Sequence, residues 1–427
     1  MSLRNMFDEY LRLPRAVHIL CLGTFINRAG TFVVVFLTLY IKEHLHFSTE
    51  FATLTMGAFG LGAFGAALVG GQLADAIGRR VVMLFALFGG AAFLVFLPLV
   101  TNRWSFLASI IGFAFVADMY RPAASAMIAD LVEPARRPHA YGLMYLSINL
   151  GFSIAPLVGG WLAVYSYRML FWADAVTTVC YAAIILFAIA ETLPSKQARG
   201  EDRDAHEPVT AETLQGNWLT DLGRMAHDRL FVTFAIATLF LALVFMQSFS
   251  TFPLYLEKLG FDTETYGRII AVNGFMIVFF QMLVTSIVTR FHRGGVIVAA
   301  ALLTGIGFGL KGVVDTALLF AVTVAVWTMG EIMLAPLMPS IVSDLAPVRM
   351  RARYMGVLSM CHSGGNTIGA PLGGLILARA GAGWLWGGCL AVGLLAATGY
   401  AVIARHLAVK PASESAEPAA APASSAG

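Results

Sequence analysis

The chemistry open to this chain rests on a few charged and amide side chains set among long apolar stretches. The segment Gly71-Gln-Leu-Ala-Asp75-Ala-Ile-Gly78-Arg79-Arg80 puts a carboxylate four residues ahead of a guanidinium, between two glycines. The glycines permit a tight turn. Asp75 can sit against a helix N-terminus or a nearby cation, and Arg79 can reach a carboxylate such as Asp130. Ion pairs of this kind can latch a gate and break when its parts move. A plain basic anchor explains the arginines but neither the glycine spacing nor Asp75.

Four more charges, Arg28, Asp118, Arg121 and Glu331, lie inside apolar stretches. An Arg at the bilayer centre costs about 2.5–3.5 kcal/mol on insertion scales, so Arg28 needs a partner or a wet cavity. Asp118 and Arg121 stand one helical turn apart and can neutralise each other, so a structural pair competes with a coupling site. Glu331 has no basic residue within four positions. Its own helix cannot neutralise it, so it is either protonated or paired across helices. A carboxylate able to gain and lose a proton is what a proton-coupled cycle needs. His362, Asn149 and Gln247 can each line a polar cavity or bridge two helices. Asp174 reads as structural.

Other chemistries find no support. Gly60-Leu-Gly62-Ala-Phe-Gly65 matches a nucleotide-loop pattern but follows no strand and sits in an apolar run, so it reads as helix packing. There is no Walker A motif, nucleophile elbow or HExxH, and the reading is not an enzyme. Cys21, Cys180, Cys361 and Cys389 lie in apolar runs without metal-ligand spacing and read as buried thiols.

These side chains are carried by 427 residues, 58% apolar and 12% charged, with a mean hydropathy of +0.77. Soluble domains carry about 25% charged residues. A soluble enzyme, a disordered chain and a nucleic-acid binder are therefore excluded in favour of an all-α polytopic membrane protein. Apolar runs recur at Ala16–Ile41, Thr53–Leu73, Val81–Val100, Phe106–Ile128, Ala140–Tyr165 and Leu170–Ala190. After a polar gap come Phe231–Leu256, Ile269–Val288, Val296–Gly312, Ala317–Val342, Met355–Leu377 and Trp384–Ala404. Each is long enough to cross a bilayer as a helix. The first is too long for a signal-peptide core and reads as the first span. With the N-terminus inside, 19 of the 28 Lys and Arg residues fall on the inner side and 7 outside, leaving Arg28 and Arg121 within spans. That bias predicts twelve helices with both termini in the cytoplasm.

The halves repeat. At a shift of 214 positions, residues 117–160 and 331–374 share ten identities in 44, among them Pro122/Pro336, Asp130/Asp344, Arg137/Arg351 and Gly151/Gly365. Chance predicts about three or four. The expected organisation is a six-helix bundle over 1–191, a charged cytoplasmic linker over 192–228, a second bundle over 229–410 and a low-complexity tail over 411–427. Two parallel six-helix repeats suit a transporter with its site near the midplane between halves.

The Gly71–Arg80 segment closely resembles the signature loop of the major facilitator superfamily, with Ala76 in place of a basic residue. The corresponding Thr285–Arg293 stretch is degenerate. In the fifth run, Gly142, Gly151, Pro156, Gly159 and Gly160 resemble the antiporter motif of drug/proton exporters in that superfamily, with Ala155 replacing one glycine. Gly330-Glu331 ahead of Pro336 resembles the tenth span of multidrug/proton antiporters of the LmrP kind, where a membrane-embedded Glu works; MdtH-type exporters are similar too. Other signatures are missing. Ile110 stands where drug exporters often carry Arg, and Met144 and Phe249 replace two of the LmrP-type acids. Thr24-Phe-Ile-Asn27-Arg28 lacks both acids of the peptide-transporter E-x-x-E-R motif.

The resemblance implies a monomeric, multi-pass transporter of the inner membrane, surrounded by lipid. It would use the proton gradient rather than a cofactor or metal to export small, amphipathic or drug-like molecules by alternating access. Protonation of Glu331, with Asp118, would release a contact to Arg28 or to substrate. The alternatives are a proton-coupled importer of a nutrient or peptide, a lipid flippase, or a sensor that does not transport.

Overall fold

The computed structural model describes residues 11–133, 136–192, 218–288, 290–347 and 351–406. The first part of the expected linker and the 411–427 tail lie outside the described residues. The first half comprises α1 (Arg15–Ala29), α2 (Phe32–Leu39), α3 (Thr49–Ile77), α4 (Arg79–Phe96), α5 (Arg103–Asp118), α6 (Tyr120–Leu131), α7 (Arg137–Tyr165) and α8 (Tyr167–Ala188). The second comprises α9 (Trp218–His227), α10 (Arg229–Phe245), α11 (Thr251–Lys258), α12 (Thr263–Val288), α13 (Arg293–Gly309), α14 (Ala317–Leu334), α15 (Leu337–Leu345), α16 (Arg351–Arg379) and α17 (Ala382–Ala404). There is no strand among the described residues.

Among the described residues, eleven stretches are long and apolar enough to cross a membrane. The run expected at Met355–Leu377 does form a 29-residue helix, α16. Ser359, His362, Ser363, Asn366 and several glycines dilute its apolar character, and it is not among the eleven. The end of the expected linker is helical too. It forms α9, after which Asp228 caps α10 through the Phe231 N–H (3.1 Å) and accepts the Tyr354 hydroxyl (3.0 Å).

Four apolar runs are broken rather than continuous. The first parts at Gly30–Thr31 between α1 and α2, then widens into a π-helical turn over Tyr40–His44. The fourth breaks at Met119 between α5 and α6, and the seventh at Met246–Ser250 between α10 and α11. The tenth breaks at Ala335-Pro336 between α14 and α15. Pro122, Pro253 and Pro336 stand just past or in these breaks, where a missing N–H and a clash with the preceding turn disrupt a helix. Pro122 and Pro336 are equated by the 214-residue repeat, so the two halves break alike.

The halves meet mainly along α7 with α12 and α3 with α16. The approach is backbone to backbone. A Cβ added at Gly267 would lie 2.3 Å from the Pro156 carbonyl oxygen, and one at Gly274 would lie 2.4 Å from the Ser153 Cα. Three hydrogen bonds reinforce this end, the one away from the arginine-rich loops. Tyr266 donates to the Val35 carbonyl (3.4 Å), Thr38 donates to the Phe249 carbonyl (3.5 Å), and the Tyr167 and Thr263 hydroxyls share a bond (2.7 Å). Tyr167 also donates to the Glu43 carboxylate (2.5 Å). Asp262 holds the Thr263 turn by accepting the Thr265 N–H (2.7 Å). Hydrogen bonds from Thr265 hold its carboxyl below the usual carboxylate range.

Two sequence expectations need correction here. Lys311, counted among the outside loop cations, is 0% exposed. Its Nζ has no hydrogen-bond partner and lies 3.9 Å from the Phe252 ring centroid and 4.0 Å from that of Phe308, with Trp327 and Trp386 beyond. The ring faces attract the ammonium, so the cation sits in an aromatic box rather than in water. Cys180, expected to be buried, is exposed on the outer face of α8, and Cys361 is half-buried.

The glycine seam gives a direct test. Replacing Gly267 by Val should prise α12 from α7. In a background lacking the four native cysteines, a cysteine at Ser153 should then react at least tenfold faster with a membrane-impermeant maleimide. An unchanged labelling rate would show that the seam tolerates the side chain.

Candidate functional site

The membrane-embedded polar groups gather around the helix breaks, in two separate cavities. The larger holds about 310 Å³ and is lined by Glu331, His362, Asn366, Thr238 and Phe245 from the second half, with Tyr145 reaching in from α7 of the first. Glu331 lies in the last turn of α14, one turn before the break. Its carboxylate accepts a hydrogen bond from the Asn273 amide of α12 at 2.7 Å, and the same amide donates to the Thr328 hydroxyl at 3.0 Å. Asn273 was not singled out by the sequence, although an amide inside the Ile269–Val288 run is a visible oddity. Tyr145 is 41% exposed, so this cavity is open.

The smaller cavity, about 60 Å³, lies inside the first half. It brings together Arg28 and Asn27 at the end of α1, Asp118 and Tyr120 at the α5–α6 break, and Asp174 and Thr178 on α8. Arg28 donates to the Tyr120 hydroxyl. Asp118 pairs with Arg121 at 3.6 Å, the one-turn contact expected from the sequence. Asp174 accepts the Val33 N–H at 3.3 Å, capping the start of α2 from a different helix. The sequence reading set Asp174 aside as outside support. In the fold it is 6% exposed and shares a cavity with Arg28.

Two further expectations change, those for the Glu331–Arg28 contact and for Asn149. Glu331 and Arg28 lie in different cavities, so no Glu331–Arg28 contact is available to release here. Gln247 donates to the Gly369 and Leu243 carbonyls (2.8 and 2.9 Å) and accepts from Thr251 (2.8 Å). It ties the α10–α11 break to α16, the helix bridge that was one of its two expected roles. Asn149 donates to the Tyr145 carbonyl one turn back (2.8 Å), using its amide within its own helix.

The Gly71–Arg80 loop forms a dense latch. Arg79 contacts Asp75 at 2.6 Å, Asp130 at 3.2 Å and the Ala74 carbonyl at 2.8 Å. Glu191, just past α8, accepts the backbone N–H groups of Arg79 (2.9 Å) and Arg80 (3.1 Å), the orphan donors that open α4. Gly78 turns there with φ +119°, and a Cβ would lie 2.4 Å from a Glu191 carboxylate oxygen. Sequence reasoning missed Glu191 because it lies more than a hundred residues downstream. The second half keeps the brace although its loop sequence is degenerate. Arg293 pairs with Asp344 at 2.6 Å, and both stand 214 positions after Arg79 and Asp130.

The motif in α7 divides its work. A Cβ on Gly151 would lie 2.7 Å from the Phe25 carbonyl and one on Gly159 would lie 2.5 Å from the Phe36 ring, so these two seat α7 on α1 and α2. Pro156 and Gly160 face Gly267 and Glu264 across the seam. Among the described residues, no cluster of three or more His, Cys, Asp or Glu could hold a metal ion.

The sequence profile of the Major Facilitator Superfamily matches residues 20–365 and 296–426. The chain belongs to this superfamily. It is a membrane secondary transporter and not an enzyme. It is 30% identical over 387 residues to a Na(+), Li(+), K(+)/H(+) antiporter of Planococcus maritimus, covering 84% of this chain and 88% of the relative. It is 23% identical over 364 residues to multidrug resistance protein MdtH of Photorhabdus laumondii, covering 83% and 84%. The fold is similar to that of a POT family transporter solved with 5-aminolevulinic acid, with a TM-score of 0.75, 17% identity and coverage of 92% and 96%. A D-xylose-proton symporter superposes with a TM-score of 0.71 at 15% identity, covering 90% and 96%.

The superfamily loop in this transporter predicts a stability effect. Glu191→Ala leaves two helix-opening N–H groups without their carboxylate and should cost about 1–3 kcal/mol. Glu191→Gln, which keeps a neutral acceptor, should cost less. Thermal melting of the detergent-purified protein checks the order wild type, Gln, Ala.

Proposed function

We propose that this superfamily member is a proton-coupled antiporter of the inner membrane that exports small, cationic, amphipathic molecules, with Glu331 exchanging a proton for substrate. The observation that carries the reading is a single carboxylate in an open cavity of about 310 Å³, held by a neutral amide and not by a cation. Phe245 and Tyr145 offer aromatic faces, and His362 and Asn366 supply hydrogen-bonding groups. One negative charge among apolar and aromatic walls suits a lipophilic monocation. The same carboxylate can hold a proton when the substrate leaves, so the two compete for one site. The twelve-helix arrangement with both termini in the cytoplasm fits the basic bias of one end. On that reading the cavity faces the cytoplasm while the glycine seam closes the far side.

A second reading, exchange of alkali cations for protons, has its own support in the 30% identical relative named for Na(+), Li(+) and K(+). One experiment separates the two. In everted vesicles energised by respiration, addition of ethidium should collapse part of the pH gradient reported by a quenched acridine dye, whereas NaCl, LiCl and KCl should not. The reverse pattern would replace the first reading by the second. Glu331→Gln should cut the response at least tenfold with expression unchanged. A full response from that variant would remove Glu331 from the coupling step.

A further inference from the structure

The first half holds an ionisable pair that the reading above does not use. Asp174 is buried in the small cavity with Arg28, yet among the described residues it is within ion-pair distance of no cation. Arg28 turns instead to the Tyr120 hydroxyl, and its Nε is buried without a hydrogen-bond partner. The remaining acid of the cavity, Asp118, is already matched by Arg121. Thr178, one turn on along α8, accepts the Asn27 amide at 3.0 Å and hydrogen-bonds Asp174, leaving the carboxyl with neutral partners. Two opposite charges thus share one cavity of about 60 Å³ without touching, and a space of that size admits water.

The break in the first run explains why both are there. Arg28 lies in the last turn of α1, where the helix dipole favours a cation. Asp174 caps the first turn of α2, where it favours an anion. Between them the chain turns at Gly30, and a Cβ there would lie 1.8 Å from the Thr177 hydroxyl oxygen, so the turn packs directly against α8. Beyond the break, α2 and the turn after it carry Val35, Thr38 and Glu43, the first-half contacts of the closed end.

We propose that Asp174 is a second proton-carrying carboxylate of the transport cycle, exchanging its contact between the α2 N-terminus at Val33 and the Arg28 guanidinium. The proposal rests on the proton-coupled reading but places its site in the other half of the molecule. When the Asp174 carboxyl gives its proton to water in the cavity, the charge left on the carboxylate is matched by Arg28 swinging away from Tyr120. When it takes a proton back, Arg28 returns to Tyr120, and Asp174 keeps its hydrogen bonds to the α2 N-terminus and to Thr178. The charged and titratable groups around this exchange are Arg28 from α1, Asp118 from α5, Tyr120 and Arg121 from α6, and Tyr181 from α8. Because α2 continues into the closed end, the exchange bears on whether that end stays shut.

Infrared difference spectra of the purified protein between acid and alkaline pH test this without a known substrate. Wild type should show carbonyl-stretch intensity from more than one protonated carboxylic acid. Asp174→Asn should remove one component, Asp174→Glu should restore it at a shifted position, and Glu331→Gln should remove a different one. A spectrum of Asp174→Asn identical to wild type overturns the proposal, whereas a Glu331→Gln spectrum identical to wild type overturns only the function proposed above. The Asn side chain still accepts the Val33 N–H, so this variant should melt close to wild type while Asp174→Ala melts lower. In proteoliposomes, Asp174→Asn should lower gradient-driven ethidium accumulation at least tenfold and retain ethidium exchange in the absence of a gradient. Undiminished gradient-driven accumulation also overturns it.

Discussion

A helix that breaks inside a bilayer leaves backbone donors and acceptors with no water to satisfy them, and this constraint organises the protein. Four apolar runs break, and a polar group stands at each break: Arg28 and Asp174 at the first, Asp118 and Arg121 at the fourth, Gln247 at the seventh, and Glu331 at the tenth. At the first and seventh breaks the match is direct. Asp174 takes the Val33 N–H, and Gln247 with Thr251 and Ser250 knits the α10–α11 junction. The groups that compensate a broken helix are also the groups able to bind a proton or a substrate. Structural repair and function thus draw on the same short list of side chains.

The corners at the basic end do the opposite work. Arg79 with Asp130 and Arg293 with Asp344 brace equivalent corners of the two halves. Glu191 adds a third tie in the first half by holding the start of α4 to the end of α8. Each half is therefore held together near the basic end by contacts within itself. The halves join one another near the opposite end, along α7 with α12 and α3 with α16. Such an arrangement lets each bundle move as a unit about a narrow line of contact.

The fold was largely legible in the sequence, because apolar run length and the placement of Arg and Lys are coarse features that single-residue context hardly disturbs. The Asp118–Arg121 contact and the Arg79–Asp130 reach were legible for a similar reason, being local or carried by a known loop. What the sequence hid were partners supplied by other helices. Nothing near Glu331 announces Asn273, nothing near Gly78 announces Glu191, and nothing near Arg28 announces Asp174. Lys311 misled for a different reason. A lysine at the edge of an apolar run looks like a loop cation until the rings of Phe252, Trp327 and Trp386 arrive from three separate elements. The breaks were only partly visible, since Pro122, Pro253 and Pro336 flag three of them while Gly30-Thr31 looks unremarkable in a Gly-rich chain.

Where Pro156 meets Gly267 and Ser153 meets Gly274, the seam of α7 on α12 is backbone against backbone, with no ionisable group among the contacting atoms. Its strength is therefore indifferent to acidity and to salt. Its rim, where Tyr167 joins Glu43 to Thr263 and Gly160 meets Glu264, contains side chains that can change charge. The closed end thus divides into a seal of constant strength and a margin that the medium on that side can adjust. Such a barrier resists leakage under any condition and still registers the composition of the fluid it faces.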